Sequence, residues 1–462
     1  MIRKIIFGCS FLLVFGFIDN ALCGDVQKQS NNKAEKSEEV QKKKIETKVK
    51  ELKSARGIRF FYMKDSSTPL IHIKIAFKNS GSAYQKKSEV GVPAFYSQAV
   101  FQGCGKYSSV ELEKAISDIA SSISCNCNVD RLEFSLTAPT IVSEKAINLL
   151  NTILRDPKFE EDRVKLIQDS TVGFLQNQAI NPKWMAVNKL IPSTIFQSHQ
   201  YENGELGNVE DFVKLSIEDL KRYKEKFIVA NNAEACVFGD LSEAKAIQLV
   251  DKIFEKIKDG EATEDLISDT DPKLDSVQKK YYAQGPQSTI AFALKCARPT
   301  DADVYAATIV STMLGNPPLF KTRIMGILRS KLGYIYYGRI VVVHQNHASY
   351  MLGILETDNK KVDKAIAALK NIIKDLREKG INEDELKFAK GYINSSTLVQ
   401  LRTSGKLCNF YFAEMMRGRG VNALNERLDG INNVTLDEVK KFCKDNLDEN
   451  NIPFVIIGGN AQ

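Results

Sequence analysis

The sequence repeats itself at a fixed distance. The segment "LSIEDLKRYKEKFIVANNAEACVFGD", which begins at Leu215, matches "VTLDEVKKFCKDNLDENNIPFVIIGG", which begins at Val434, at an offset of 219 residues. The segments "SEKAINLLNTIL" and "VDKAIAALKNII", which begin at Ser143 and Val362, match at the same offset. A unit of this length exceeds the repeats of solenoid proteins. The chain therefore contains two homologous domains, at residues 53–255 and 277–462, and a polar linker over residues 256–276.

Both halves show the same order of predicted elements. Each opens with two alternating apolar segments, "GIRFFYMKD" and "LIHIKIAFKNS" in the first half and "QKKYYAQ" and "QSTIAFALKCA" in the second, which predict strands. A helix, a strand pair, three helices and a closing strand follow. Ser216 and Thr435 each stand three residues before an acidic residue, which predicts a capped helix start in both halves. The pattern predicts an α+β fold of two homologous sheet-plus-helices domains.

Composition and charge narrow the possible function classes. The 462 residues are 43% hydrophobic and 26% charged, which is typical of globular proteins. The net charge of +7 is the small difference between 64 basic and 57 acidic residues. Basic residues do not cluster with aromatic residues, so nucleic-acid binding is not expected. Seven of the nine cysteines follow residue 23 at wide spacings, which indicates structural thiols rather than a disulfide framework.

The N-terminus predicts export. Arg3 and Lys4 precede the apolar run "IIFGCSFLLVFGFI", and small residues follow up to Cys23. This is the pattern of a signal peptide over residues 1–23, and it predicts secretion to a bacterial periplasm. An uncleaved anchor or lipidation of Cys23 would instead tether the chain to a membrane. Residues 24–52 lack aromatic residues and are rich in charge, so we expect a flexible segment. We expect no transmembrane core beyond it.

The two-domain duplication, together with "GIRFFYMKD...IHIKIAFKNSGSAYQ" and "TRIMGILRSKLGYIYYGR", resembles the pitrilysin/insulinase-type metallopeptidases. The closing segment "HQYENGELGNVEDFVKLSIEDLKRYKEKFIVANNAEACVFGD" fits the same family. The resemblance extends over about residues 53–460. Within the family, the chain more specifically resembles short members that are similar to mitochondrial processing peptidase subunits. It implies a peptidase fold whose two domains enclose a cavity, a peptide substrate and an inverted zinc motif, His-x-x-Glu-His, on a helix of the first half.

The family's sequence pattern around the zinc motif aligns with "GVPAFYSQAVFQG", in which Gly91, Phe101 and Gly103 match the pattern. The resemblance places Ala94 and Gln98 at the two histidine positions and Ser97 at the glutamate position. It places the third ligand near Asp169. Ala and Ser do not hold zinc, and Gln is a poor ligand beside imidazole or carboxylate. We therefore expect no metal and no other cofactor in this chain, and zinc in a partner subunit.

Two further elements follow from the resemblance. Arg329 and Tyr336, at the family spacing in "LRSKLGYIYYG", are expected to contact the substrate and the transition state across the cavity. The run that contains Ser124, Cys125, Asn126 and Cys127 is expected to bind peptide as an added strand at a sheet edge. From the residues alone, Tyr336 could instead pack on the sheet, Arg329 could pair with a surface carboxylate, and the run could form an internal strand.

Two functions fit these expectations. In the first, the chain is the non-zinc subunit of a secreted two-subunit metallopeptidase, paired with a homologous subunit that carries the zinc motif. In the second, it is a catalytically inactive pseudopeptidase that binds peptide or serves a structural role. The sequence leaves a homodimer or a heterodimer open. An independent enzyme with new chemistry ranks last, because the sequence places no Cys–His pair.

Overall fold

The computed structural model describes residues 48–261 and 263–459. The predicted signal peptide and the charged segment up to residue 47 lie outside the described residues. From residue 48 onwards the chain forms one unit. Among the described helices, none has the length and apolar character needed to cross a membrane.

The first half is built on a six-stranded mixed sheet. Its strands are β1 (Lys50–Lys53), β2 (Arg59–Lys64), β3 (Leu70–Phe77), β6 (Ser122–Cys127), β7 (Leu132–Pro139) and β8 (Ala233–Gly239), and a separate small ladder pairs β4 (Gly103–Cys104) with β5 (Tyr107–Ser108). The strand order is β1-β2-β8-β3-β7-β6. The pairing of β2 with β8 is parallel, and the other pairings are antiparallel. β6 therefore lies at one edge of the sheet.

The described helices of the first half are more numerous than the sequence predicts: two instead of one precede the β6–β7 pair, six instead of three lie between β7 and β8, and one follows β8. They are α1 (Val92–Ala99), α2 (Ser109–Asp118), α3 (Ser143–Arg155), α4 (Glu161–Ala179), α5 (Pro182–Met185), α6 (Ile191–Ile195), α7 (Val209–Phe212), α8 (Ile217–Phe227) and α9 (Glu243–Ile253), with a π-helical segment Ala186–Leu190 between α5 and α6. Ser216 and Asp219 form the predicted capping box at the start of α8. This box satisfies backbone N–H groups that have no partner inside the helix.

The second half has a five-stranded sheet and its own helices. The strands are β9 (Gln278–Tyr281), β10 (Gln287–Lys295), β11 (Tyr337–His344), β12 (Ser349–Asp358) and β13 (Phe454–Ile457). The helices are α10 (Val304–Leu314), a π-helix Ile324–Lys331, α11 (Val362–Lys379), α12 (Glu383–Gln400), α13 (Ser404–Met416), α14 (Ala423–Asn433) and α15 (Leu436–Asn446). Thr435 and Glu438 form the capping box predicted for α15.

The strand order confirms the duplication. The second sheet has the order β9-β13-β10-β12-β11, which corresponds to β2-β8-β3-β7-β6 in the first. In both sheets the closing strand lies inside the sheet and forms the parallel pairing, β8 with β2 and β13 with β9. β11 is thus the counterpart of β6, and each forms an edge. The predicted α+β fold of two homologous domains is confirmed.

Strand β1 departs from the predicted flexible segment over residues 24–52. Lys50 to Lys53 pair with β2, and the turn between the two strands contains Gly57 with a positive φ of 81°. Three of its four side chains are charged and exposed, and Leu52 is half-buried, so periodicity gave no signal. Charged residues are common on edge strands, because backbone pairing needs no apolar side chain there and charge discourages pairing with other chains.

Each half also covers the sheet of the other half with a helix. Helix α13 of the second half packs on β8 and β3 of the first. There the Cys408 Sγ donates to the carbonyl oxygens of His72 and Cys236 at 3.7 and 3.8 Å. The ring centroids of Tyr411 and Phe238 lie 5.7 Å apart. The inner face of the first sheet is therefore buried by a segment from the opposite end of the chain.

The reciprocal contact comes from the first half. Residues of α6 and its surroundings form one apolar cluster with the inner face of the second sheet. Phe196, which is 2% exposed, places its ring centroid 5.6 Å from those of both Tyr201 and Tyr350. The linker adds the buried Ile267 to this cluster. The two halves thus complete each other's packing rather than touching at one flat interface.

The turns that end β6 and β11 meet between the halves. The Asn346 backbone N–H donates to Oδ2 of Asp130 at 3.0 Å, and the Tyr201 hydroxyl donates to Oδ1 of Asp130 at 2.6 Å. Nearby, the two nitrogens of His347 lie 2.9 and 3.0 Å from carboxylate oxygens of Asp265 and Asp269 in the linker. The linker is therefore held in place by polar contacts at this junction.

Candidate functional site

Helix α1 carries the positions of the missing zinc motif. It packs against β6 on one side and against α4 on another. Gly91 directly precedes this helix. A side chain is not accommodated at this position, because a Cβ there would stand 2.6 Å from the Phe212 ring. Pro93 occupies the first turn, where a missing N–H costs nothing. The Tyr96 ring packs between those of Phe159 and Tyr223, at centroid distances of 5.8 and 5.1 Å.

The three positions of the motif hold no zinc-binding set. Ala94 is buried, and the Ser97 hydroxyl donates to the carbonyl oxygen of Ala94 at 2.8 Å. The Gln98 amide Nε2 donates to Thr171 Oγ1 at 3.4 Å, and that hydroxyl donates to the carbonyl oxygen of Ile167 at 2.9 Å. A methyl group, a hydroxyl committed to its own helix and an amide do not fit zinc, which prefers thiolate, imidazole and carboxylate ligands.

The structure does not bring Asp169, the residue expected near the third ligand position, towards α1. Asp169 lies on the exposed face of α4, where it pairs with Lys165 at 2.8 Å. The buried residues of α4 are Val164, Gln168, Thr171 and Leu175, which recur at the helical spacing of three and four. Asp169 directly follows Gln168 and lies outside this buried stripe. Its side chain therefore points away from α1. Thr171 is the residue of α4 that contacts Gln98.

No alternative metal site takes its place in the part of the chain that the structure describes. Within residues 48–261 and 263–459, no group of three or more His, Cys, Asp or Glu side chains could hold a metal ion. Gln168, next to the site, donates through Nε2 to the carbonyl oxygens of Phe212, Val213 and Leu215. These hydrogen bonds satisfy backbone carbonyl groups at the C-terminal end of α7. Gln168 therefore has a structural role and is not a metal ligand.

Strand β6 pairs with β7 on one side, and its other side is a sheet edge. Ser124 is exposed, while Cys125, Asn126 and Cys127 are half-buried beside α1. Burial raises the pKa of both thiols well above the usual range, so they stay protonated and weakly nucleophilic. The geometry places the four residues at an edge next to the former zinc helix. An edge strand offers unpaired backbone groups to an extended peptide.

Arg329 and Tyr336 lie just before β11. Arg329 is exposed on the π-helix Ile324–Lys331, with its guanidinium 5.3 Å from the centroid of the exposed Phe320 ring. Gly333 follows that segment with φ at 62°, a conformation that glycine readily adopts. Tyr336 is 49% exposed, and its backbone N–H donates to the carbonyl oxygen of Glu356 at 2.7 Å, which fixes the start of β11. Both side chains therefore face solvent.

The first half reaches this region through α5. The Lys183 Nζ lies 3.1 Å from Oε1 of Glu356 and 5.1 Å from the ring centroid of Tyr337. Helix α5 directly follows α4, which carries Thr171. The short segment from Thr171 on α4 to Lys183 on α5 therefore connects the region of the degenerate zinc motif to β11. The predicted juxtaposition of Arg329 and Tyr336 with α1 stays a prediction.

Sequence reasoning missed one acidic residue near β6. Glu205 is half-buried, and burial followed by the charge of Asp130 raises its pKa to about 7. Its charge acts on Cys127 at the end of β6 and on Tyr350 of the second sheet. Glu205 stands between Gly204 and Gly207, which have positive φ values of 65° and 64°. The glycines mark a turn, but nothing in the sequence indicates burial of the carboxyl group.

Comparison with protein families gives two matches. The model described as "Insulinase (Peptidase family M16)" matches residues 60–208, and the model described as "Peptidase M16 inactive domain" matches residues 214–392. The first contains α1, β6 and α4, and the second contains Arg329 and Tyr336. Together they extend over most of the described chain.

Similar proteins include both non-peptidase and peptidase relatives. The "Non-peptidase homolog YmxG" of Helicobacter pylori is 22% identical over 402 residues, which cover 87% of this chain and 92% of that protein. The "Probable mitochondrial-processing peptidase subunit beta" of Arabidopsis thaliana is 24% identical over 242 residues, which cover 52% of this chain and 45% of that protein.

A solved structure shows the same fold. The structure of a peptidase M16 inactive domain from Pseudomonas fluorescens has a TM-score of 0.83 at 18% sequence identity, covering 90% of this chain and 99% of that chain. The duplicated sheets, the two family models and this structural likeness agree with the resemblance in the sequence. The chain belongs to the insulinase-type M16 peptidase family, and its inverted zinc motif is degenerate.

Proposed function

We propose that this protein is a peptide-binding pseudopeptidase that acts as the non-zinc subunit beside a homologous, zinc-bearing partner. The observation that carries the proposal is the position of α1, which lacks zinc ligands but packs beside the edge strand β6. The metal-binding function is lost, while the edge that can accept a peptide strand persists. The predicted signal peptide supports a secreted location for the pair.

The proposed role divides the chemistry between two chains. The partner's zinc would supply the activated water. This chain binds the peptide backbone along β6, and the exposed Arg329 guanidinium donates to a peptide carbonyl oxygen. The Tyr336 hydroxyl donates to the oxyanion that develops at the scissile carbonyl. Donors placed at a developing oxyanion typically contribute about 10²–10³ in rate.

Reconstitution tests this function. Neither chain alone should cleave peptides, and the mixture of this chain with a zinc-motif homologue from the same organism should do so. We expect Arg329→Ala and Tyr336→Phe to lower kcat by about 10²-fold, with Tyr282→Phe, also at an exposed tyrosine, as the matched control. Full activity of both variants would remove the catalytic part of the proposal.

The relative named as a non-peptidase homologue favours a second candidate. In this reading the chain binds peptide, or holds a complex together, without any role in cleavage. The two candidates separate in the same experiment. If peptide binds the chain but no zinc-bearing homologue restores cleavage, the second candidate stands. Cleavage by the isolated chain that a chelator abolishes would contradict both.

A further inference from the structure

Two cysteines from opposite halves of the chain meet where helix α13 covers the first sheet. Cys236 lies on β8, and Cys408 lies on α13. The Cys408 Sγ lies 3.8 Å from the carbonyl oxygen of Cys236 and 3.7 Å from that of His72 on the neighbouring strand β3. Both cysteines are free thiols, and both are buried. The contact joins positions that are 172 residues apart in the sequence.

The direction of the Cys236 side chain follows from the strand. Successive side chains of a strand point to opposite faces of the sheet, so Cys236 and Phe238 share one face. That face is the one that α13 covers, because the ring centroids of Phe238 and Tyr411 lie 5.7 Å apart. Cys408 precedes Tyr411 by three residues, which places both on the same face of the helix. The two thiol groups therefore point into the same interface.

Contacts on both sides of Cys408 fix the position of the helix. Lys74 of β3 stands directly opposite Cys236 in the ladder, so the two side chains share a face. The Lys74 Nζ lies 4.9 Å from the ring centroid of Phe412, one turn after Cys408. One turn before it, a Cβ at Gly405 would stand 3.0 Å from the histidine ring of β3. The helix is therefore packed closely on the sheet at the level of the two thiols.

Cys125 and Cys127 are closer in sequence but are not suited to such a bond. They lie two residues apart on β6, so their Cβ atoms are about 6.6 Å apart along the strand. The Cβ atoms of a disulfide are only about 3.5–4.5 Å apart. Spacing in the sequence therefore points to the wrong pair, whereas the fold brings Cys236 and Cys408 together.

We propose that Cys236 and Cys408 form a disulfide bond that fastens helix α13 to the first sheet when the chain folds under oxidising conditions. The predicted signal peptide would deliver the chain to a compartment in which disulfides persist. The bond links the two halves covalently and restricts the unfolded chain over a long loop. It is independent of the peptide role, since neither cysteine lies on α1 or β6.

The bond forms by thiol–disulfide exchange with an external disulfide as oxidant. The thiolate of one cysteine attacks the oxidant and releases one thiol, and the thiolate of the other attacks the mixed disulfide and releases the second. The two protein thiols lose two protons and two electrons, and the oxidant leaves as two thiols. Burial raises the pKa of Cys236 well above its usual range, which makes the covered thiol unreactive. The exchange therefore begins during folding, before α13 covers β8.

Peptide mapping tests the proposal on the chain from residue 24 onwards, which contains seven cysteines. The reduced, unfolded chain is refolded with reduced and oxidised glutathione, its free thiols are alkylated, and it is digested without reduction. We expect linked peptides that contain Cys236 and Cys408. Cys296→Ser, at a buried cysteine outside the pair, should form the same link, and Cys408→Ser should form none. In the folded chain, dithiothreitol should cleave the bond about a hundredfold or more slowly than in urea, because the bond is buried.

Thermal unfolding gives a second measurement. The linked chain should unfold about 5 °C or more above the reduced chain, while reduction should not change the unfolding temperature of Cys408→Ser. The proposal is overturned if the folded, unmodified chain lacks the Cys236–Cys408 link, or if Cys408 is joined equally to several cysteines. Should refolding yield no folded chain, as judged by circular dichroism, the same mapping on chain isolated from a bacterial periplasm and alkylated at lysis decides the question.

Discussion

The ends of the two equivalent edge strands carry opposite chemistry. At the end of β6, burial raises the pKa of a carboxyl group, that of Glu205. At the end of β11, burial and the charges of Arg417, Arg427 and Arg419 lower the pKa of His344. The strand order around both is the same. Duplication therefore retained the backbone frame, while the side chains at corresponding edges diverged independently. The internal repeat therefore gives no basis for assigning a function of one edge strand to the other.

The largest expected effect concerns the shared frame. Phe196→Ala and Tyr411→Ala each remove a buried aromatic ring that packs on the sheet of the opposite half. Each should lower the free energy of unfolding by about 3–5 kcal/mol, in one cooperative transition. Urea denaturation and calorimetry measure this, with Tyr282→Ala, at an exposed ring, as the control. Two separate transitions would show that the halves do not stabilise each other.

The next effect concerns the acidic end of β6. Because the pKa of Glu205 is about 7 when folded and lower when unfolded, the folded state binds more protons between about pH 4.5 and 7. Stability therefore falls as pH rises through this range. We expect Glu205→Gln to be about 2–3 kcal/mol more stable than the unmodified chain above pH 7, and equally stable below about pH 4.5. Urea denaturation across pH measures this difference.

The same chain provides a control residue for this experiment and a residue with the opposite pH dependence. Glu225→Gln, at an exposed glutamate, should leave the pH profile unchanged. His344 should show the opposite slope: its pKa is lowered on folding, so stability is lost as pH falls below about 6.5. A Glu205→Gln variant that loses stability above pH 7 would show that the ionised carboxyl group has a favourable partner.

A smaller effect concerns the former zinc site. In a chain with Ala94→His, Ser97→Glu and Gln98→His, addition of Thr171→Glu should strengthen zinc binding about tenfold or more, because position 171 would then supply a third, carboxylate ligand. The matched control is Asp169→Glu in the same background, which should have no effect because that side chain points to solvent. Equal zinc affinity in the two chains, by competition with a chelating dye, would contradict the assignment of Thr171.

The smallest effect is local protection. If peptide adds to β6, hydrogen exchange of the amides in Ser122–Cys127 should slow about threefold or more when peptide binds. The amides of Tyr337–His344 in β11 serve as the internal comparison, and we expect no change there. Protection of β11 instead would move the peptide site to the second half and leave β6 without a role.

Much of the frame could be predicted from the sequence, because it depends on local patterns. The repeat, the alternating strands and the capping boxes at Ser216 and Thr435 are signals within a few residues of each other. The resemblance places the third ligand only near Asp169, and a step of one or two residues along a helix rotates a side chain by about 100–200°, so the sequence could not decide which side chain of α4 faces α1. Thr171, which contacts Gln98, carries no sequence signal of its own.

The remaining features depend on contacts between distant segments. Lys50–Lys53 forms a strand through backbone pairing, although three of its four side chains are charged. Glu205 acquires its raised pKa from burial, which no motif near it indicates. Likewise, the covering of each sheet by a helix from the other half joins residues that no local pattern relates. Such features arise only when both halves are assembled.

The exchange of helices has a consequence for how the chain is made. Cys408 of α13 meets Cys236 of β8 across 172 residues of sequence. At roughly 5–20 residues per second of synthesis, the inner face of the first sheet waits about 10–35 seconds for its cover. During that interval Phe238 and its neighbours are exposed while the ribosome completes the chain. The first sheet therefore gains this cover only after α13 has been synthesised, and a chaperone that holds apolar sheet surfaces would have a defined window in which to act.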